Sequence, residues 1–175
     1  MSEKYKFHKH GLFFVTMTVV GWIDVFTRKK YADEIIKNLN YCIDNKGLEV
    51  YHFCIMSNHI HLICSAEDGE VGRIIRDFKS FTTKEIIRQI AENPYESRKE
   101  WMLYMFRYFA KGSSPKCEFQ FWQHTNHPVW LESNRFMLQK TRYILNNPVK
   151  AGIVSEPEHY IYSSANPKTE LKLSF

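Results

Sequence analysis

Two apolar, strand-like runs at 48–56 and 59–66 are separated only by Ser57-Asn58. So short a connection forces an antiparallel hairpin. That hairpin lies between two amphipathic helical patterns, and this placement constrains the fold more than any other feature. Upstream, residues 28–45 repeat Tyr31, Ile35, Leu39 and Cys42 at helical spacing, with Thr27 as a candidate cap and Gly47 as a stop. Downstream, Ile74, Ile75, Phe78, Thr82, Ile86 and Ile90 form the apolar stripe of a helix over 71–91 that ends at Asn93-Pro94. Residues 11–22 are rich in β-branched and aromatic side chains and read as a first strand.

The remainder is less regular. The stretch 95–115 is ambiguous, although WMLYMFRYFAKG suits a third helix stopped at Gly112. KCEFQFWQ, residues 116–123, alternates enough to be a fourth strand. Ser133 caps a helix predicted over 134–147 and ended by Pro148. The order β-α-β-β-α-(α)-β-α predicts an α+β fold. It is a ferredoxin-like antiparallel sheet with helices on one face and a C-terminal tyrosine-bearing helix. Residues 1–175 are read as one domain, with a mobile tail at about 167–175.

Composition narrows the class. Hydrophobic residues make up 44% of the chain, which argues for a packed core rather than disorder. The net charge of +5 suits a nucleic-acid partner, and 15% aromatics leave some rings for stacking on bases. Cys42, Cys54, Cys64 and Cys117 show no CxxC spacing, so a zinc knuckle or redox pair is not expected. Cys54 and Cys64 read as reduced core residues. The opening segment lacks a signal-peptide pattern and no run is long enough to span a membrane, so the expected location is cytoplasmic, with no membrane partner.

Function has to come from a site. His59 and His61 flank Ile60 in SNHIHLIC. On a strand, positions i and i+2 face the same way, so the two imidazoles project together. They are either a pair of metal ligands or two satisfied histidines on a half-exposed strand. Tyr143 and Asn147 are four apart at the end of the last helix, with Gln139 and Lys140 one turn earlier. They are either a functional cluster or a core tyrosine and a helix-end asparagine. Together, His59, His61 and the Asn147 amide oxygen make three ligands for a divalent cation, Mg²⁺ or Mn²⁺, with positions left for a phosphate oxygen. Tyr143 is then placed to attack phosphorus and form a covalent phosphotyrosine, with Lys140 or the metal favouring the phenolate.

At these residues the chain resembles the single-tyrosine HUH transposases of small bacterial insertion sequences, above all their REP-associated branch. SNHIHLI matches the HUH motif, and YILNNPVKAGIV (143–154) is similar to that branch's catalytic-helix ending. FFVTMTV, RDFKSFTTK, FQFWQH and HYIYSSA add to the likeness, which spans roughly residues 11–165. The resemblance places the nucleophile on Tyr143 and the third metal ligand on Asn147. It implies cleavage and rejoining of single-stranded hairpin DNA through a 5′-phosphotyrosine, without ATP. The alternative is a hairpin-DNA-binding protein that keeps the fold and not the activity. A relaxase-type nuclease and a ferredoxin-like RNA-binding domain are further readings; the length argues against the first, and the second leaves the histidine pair unexplained.

Candidate DNA contacts follow. Arg73, Arg76, Lys79, Lys84 and Arg88 lie along the second helix, either tracking phosphates or forming an ordinary solvated face. Arg135, Lys140, Arg142 and Lys150 surround Tyr143 in a stretch, 134–153, with no acidic residue. Trp122 and Trp130 either stack on bases or pack in the core. His124 and His127 either assist proton transfer or cap a turn. A homodimer with the tyrosine helix supplied in trans and a monomer acting in cis are both compatible with the sequence.

Overall fold

The hairpin turn at Ser57-Asn58 closes with the Met56 N–H donating to the His59 carbonyl at 2.8 Å. It joins β2 (Leu48–Ile55) to β3 (His59–Ala66). The computed structural model describes residues 7, 10–112 and 117–174. β1 (Phe13–Thr18) pairs with the other side of β3, and a two-residue β4 (Val129–Trp130) pairs with β1. The sheet order is β2-β3-β1-β4, antiparallel throughout, as a split βαβ requires.

Strand parity divides the sheet into two faces. Phe13, Val15 and Met17 of β1, with Ile60 and Leu62 of β3, enter the main core. There they meet the apolar stripes of α1 (Lys29–Lys46) and α2 (Val71–Glu92). Gly47 closes α1 at φ 66°, a left-handed position that glycine takes without a Cβ penalty. Thr27 does not cap α1: Arg28 holds the cap position, and the Thr27 hydroxyl donates to the Asp24 carbonyl. The ambiguous middle contains α3 (Lys99–Ala110), whose Met102 and Phe106 are buried in the same core.

The opposite sheet face carries Phe14, Cys54, Met56 and Ile63. α4 (Asn134–Lys150) covers it and inserts Ile144, which is fully buried. Burial of one such side chain contributes about 1.5–3 kcal/mol. Ser133 caps α4 as expected, its hydroxyl accepting from the Phe136 N–H at 3.3 Å. The predicted stop at Pro148 does not occur. Pro148 forfeits one helical hydrogen bond, yet the Ala151 N–H still donates to the Asn147 carbonyl and α4 runs to Lys150.

Two further expectations change. KCEFQFWQ is not a strand: its described part, from residue 117, makes one bridge, Trp122 to Val19, and the Gln120 N–H turns away to the Phe106 carbonyl. Residues 167–174, expected to be mobile, lie against α1 and β2. Leu171 is buried, the Lys172 ammonium pairs with Asp44, and the Ser174 N–H donates to the Val50 carbonyl. The segment around Tyr162 and Ser164 covers the free edge of β2 through the Ile55 and Phe53 backbone. All four cysteines are free thiols, with Cys42, Cys54 and Cys64 buried and Cys117 exposed. No helix among the described residues is long and apolar enough to cross a membrane.

Candidate active site

β3 turns His59 and His61 toward α4, as strand parity demands, with ring centroids 4.7 Å apart. Each ring has a partner at Nδ1. The Asn58 amide nitrogen donates to the Trp22 carbonyl and the Asp24 carboxylate, which fixes the amide's orientation. Its oxygen therefore accepts from His59 Nδ1 at 2.8 Å. Across the strand pair, Thr16 Oγ1 holds His61 Nδ1 at 2.9 Å. This arrangement fixes both rings; because the Asn58 oxygen accepts, the neutral His59 ring carries its lone pair at Nε2, while the Thr16 hydroxyl can either donate to or accept from His61 Nδ1.

His61 is 4% exposed, and its Nε2 is buried with no hydrogen-bond partner. Burial first, then the neighbouring His59 and Lys140, push its pKa down to about 3. Burial lowers His59 as well. Both rings are therefore neutral at physiological pH, the state in which imidazole ligates metal. A buried ring nitrogen without a hydrogen-bond partner is costly unless a ligand engages it.

The last helix brings its tyrosine to this pair. The Tyr143 ring meets His61 edge-on at 5.2 Å and Phe14 at 5.9 Å, while remaining 42% exposed. Phe14 in turn stacks on His61 at 5.3 Å. Lys140 sits 4.5 Å above the Phe14 ring and 5.7 Å from the Tyr143 ring. Lys150 approaches Tyr143 from two turns further on at 5.9 Å. The phenol is thus open to solvent on one side and flanked by two cations. The tyrosine helix docks on the histidines of its own chain. Asn147 is half-buried, one turn past Tyr143 on the same side of α4.

Tyr143 also lines an open cavity of about 800 Å³ whose wall includes Arg135, Gln139, Arg142, Asn146 and Lys150. Three cations around an exposed phenol suit a phosphate backbone. The α2 cations are placed differently. Arg73 pairs with Asp68, Arg76 with Asp77, and Arg88 with Glu85 and Glu92. Lys84 is exposed and lines a second groove of about 640 Å³ with Arg88. Lys79 is engaged within the protein rather than free on the helix surface. Its ammonium donates to the Gln123 carbonyl and the Asn126 side chain, both at 2.6 Å. Trp122 cannot stack on a base either. It is 4% exposed, and its indole N–H donates to Thr82. His127 bonds to Thr125, and Trp130 is half-exposed at the sheet edge.

Sequence reasoning missed Phe14, Thr16, Asn58 and Trp22. Phe14, Thr16 and Thr18 occupy the alternate positions of β1, so parity within FFVTMT was the available signal for the first two beside His61. Trp22 lies 6.0 Å from His59 and carries no periodic signal.

The donor set suits a divalent cation rather than a closed zinc site. Among the described residues, no group of three or more His, Cys, Asp or Glu is placed to hold a metal. Two neutral imidazoles on one strand face, with the Asn147 carboxamide one helical turn past the Tyr143 that touches His61, match an open site that leaves room for oxygen ligands from a substrate.

A family model described as transposase IS200 like matches residues 15–124, from β1 through the segment before β4. The match includes both histidines and stops short of Tyr143. A solved structure of a REP-associated tyrosine transposase bound to a REP hairpin is similar in fold, with a TM-score of 0.61 and 18% identity. The similarity covers 94% of this chain and 82% of that one. No curated protein matches the chain.

Proposed function

The chain belongs to the IS200-like transposase family, and from that premise we propose that it cleaves and rejoins single-stranded hairpin DNA through a 5′-phosphotyrosine on Tyr143. The observation that carries this reading is the edge contact between the exposed Tyr143 ring and the buried His61 imidazole, whose Nε2 has no hydrogen-bond partner.

The Tyr143 hydroxyl oxygen attacks the scissile phosphorus. The Oη–P bond forms, the P–O3′ bond breaks, and the phenolic proton is made up at the departing 3′-hydroxyl through solvent. The 5′-phosphotyrosine conserves the energy of the diester, so a 3′-hydroxyl attacking it restores a DNA linkage without ATP. His59, His61 and Asn147 would hold Mg²⁺ or Mn²⁺, which supplies charge neutralisation at the phosphoryl oxygens. Lys140, between Phe14 and Tyr143, adds a fixed positive charge to the same place. Arg135, Arg142 and Lys150 line the cavity beside Tyr143 and hold the flanking phosphates. The hairpin preference is carried over from the solved relative, which holds one. One chain suffices in this reading, because Tyr143 and His61 meet within it.

Covalent capture tests it. Labelled hairpin DNA taken from beside the gene is incubated with the protein and Mg²⁺ or Mn²⁺, then run on a denaturing gel. A shifted band is expected with the wild type and none with chelator, with Tyr143→Phe or with His61→Ala. Tyr143→Phe should still bind the hairpin. Binding by the wild type with no adduct on any hairpin would establish the idle DNA-binding reading instead, and an adduct in Tyr143→Phe would remove the nucleophile assignment.

A further inference from the structure

Beyond β1, the chain makes a short 3₁₀ turn, Val20–Trp22, whose last two residues are both left-handed: Gly21 at φ 61° and Trp22 at φ 55°. Glycine takes this conformation freely, but a tryptophan there is strained. Such strain persists only where the surroundings impose it, and it clusters at functional positions. Here the surroundings are explicit. The Trp22 N–H donates to the Val19 carbonyl, and Asn58 Nδ2 donates to the Trp22 carbonyl at 3.2 Å. The Phe109 ring of α3 closes on Gly21, where an added Cβ would come within 2.6–2.8 Å of it.

The strain does not serve the core. Trp22 is 61% exposed, so most of its indole contacts no protein. What the turn achieves is placement: the indole stands edge-on to His59 at 6.0 Å. Asn58 secures both sides of that contact, since it also orients the His59 ring. Tyr143, His61, His59 and Trp22 therefore form one row, with the nucleophile at one end and an open aromatic face at the other.

We propose that Trp22 is the stacking platform for the base next to the phosphate that Tyr143 attacks, and so a positioning residue for single-stranded DNA. This rests on the function proposed above. Every base presents a π-face, so the platform tolerates any sequence and selects for an unstacked strand over a duplex. The fixed backbone means the indole is held before the strand arrives, and less freedom is lost on binding.

The test reads stacking without cleavage. In a Tyr143→Phe background, a hairpin with thymine flanks on both sides carries one 2-aminopurine, moved along each flank in turn. Quenching is expected at one flank position. Trp22→Leu should abolish it and weaken binding about tenfold with an unchanged salt slope, since no charge is lost. Trp22→Phe should retain the quenching. Trp22→Gly relieves the left-handed strain, so it should lose the quenching with a melting temperature no lower than that of its parent. A scan with no quenched position, or one unchanged in both Trp22→Leu and Trp22→Gly, overturns the inference. Covalent capture by the protein with Tyr143 intact is scored separately. An adduct with no Trp22-dependent quenching removes only the platform. Trp22-dependent quenching with no adduct upholds the platform and removes the phosphotyrosine reading.

Discussion

His61 is a titratable ring enclosed by Phe14, Thr16, His59 and Tyr143, and its enclosure ties stability to pH. Its folded pKa lies near 3, against an ordinary value of 6.5. Between those values the unfolded chain binds a proton that the folded chain refuses. The stabilising contribution is thus complete above about pH 6.5 and is lost as pH falls toward 3. The loss is about 1.4 kcal/mol per pH unit in that window. His59 shifts in the same direction and adds to the effect. Urea unfolding at pH 7 and pH 5, in chelator, should show the wild type losing stability on acidification. His61→Phe, which keeps an aromatic ring against Phe14, should lose about one proton's worth less. Equal losses in the two proteins would show that His61 is free to protonate in the folded state.

At the scale of elements, α2 shows why a basic stripe in a sequence is not yet a DNA surface. Lys79 ties α2 to the segment leading into β4, because its two acceptors are Gln123 and Asn126, and the Asn126 carbonyl itself receives the Thr16 N–H of β1. Burial pushes the Lys79 ammonium down to about 8, so it remains a cation at neutral pH. Lys79→Met should cost about 1–3 kcal/mol of stability, because two acceptors lose a charged donor, and leave the salt dependence of DNA binding unchanged. Arg142→Met should do the reverse, with stability within about 0.5 kcal/mol of the wild type and a salt slope reduced by about 0.7 for a single strand. Denaturant melts and binding across a salt series separate the two; a salt slope lowered by Lys79→Met would return that residue to the DNA surface. The same contrast explains what was legible. α1, β2, β3 and α2 carry strong periodicity, and their observed bounds fall within one residue of expectation. β4 has two residues and no period to read, while the alternation in KCEFQFWQ reflects Phe119 and Phe121 packing on the core, with Trp122 beside them, through an irregular segment. Pro148 misled because one lost hydrogen bond does not stop a helix whose neighbouring Ile144 is locked into the sheet. That His59 and His61 face the same way was legible from strand spacing, whereas Tyr143 was singled out by the resemblance, its spacing alone leaving a core tyrosine open. Phe14 and Trp22 were not legible, since their places beside the histidines come from cross-strand register and a left-handed turn.

For the whole molecule, the decisive fact is that α4 returns to the sheet that carries the histidines. Ile144 enters the small core formed by Phe14, Cys54, Met56, Ile63 and Leu131, and that anchor sets Tyr143 against His61 of the same chain. A dimer exchanging tyrosine helices would have to remove Ile144 from this core and rebuild the same contacts between chains, with the added cost of association. Mixing two inactive variants decides between the arrangements. Tyr143→Phe lacks the nucleophile and His61→Ala lacks the ligand. In a closed chain neither can supply the other's missing part, so an equimolar mixture, unfolded and refolded together, should give no more adduct than either variant alone. Exchanged helices would assemble one intact site in each mixed dimer and restore on the order of a quarter of wild-type adduct. Recovery at that level would mean that the docking of α4 within one chain is not the active arrangement, and the contacts of Ile144 would then have to form across a dimer interface.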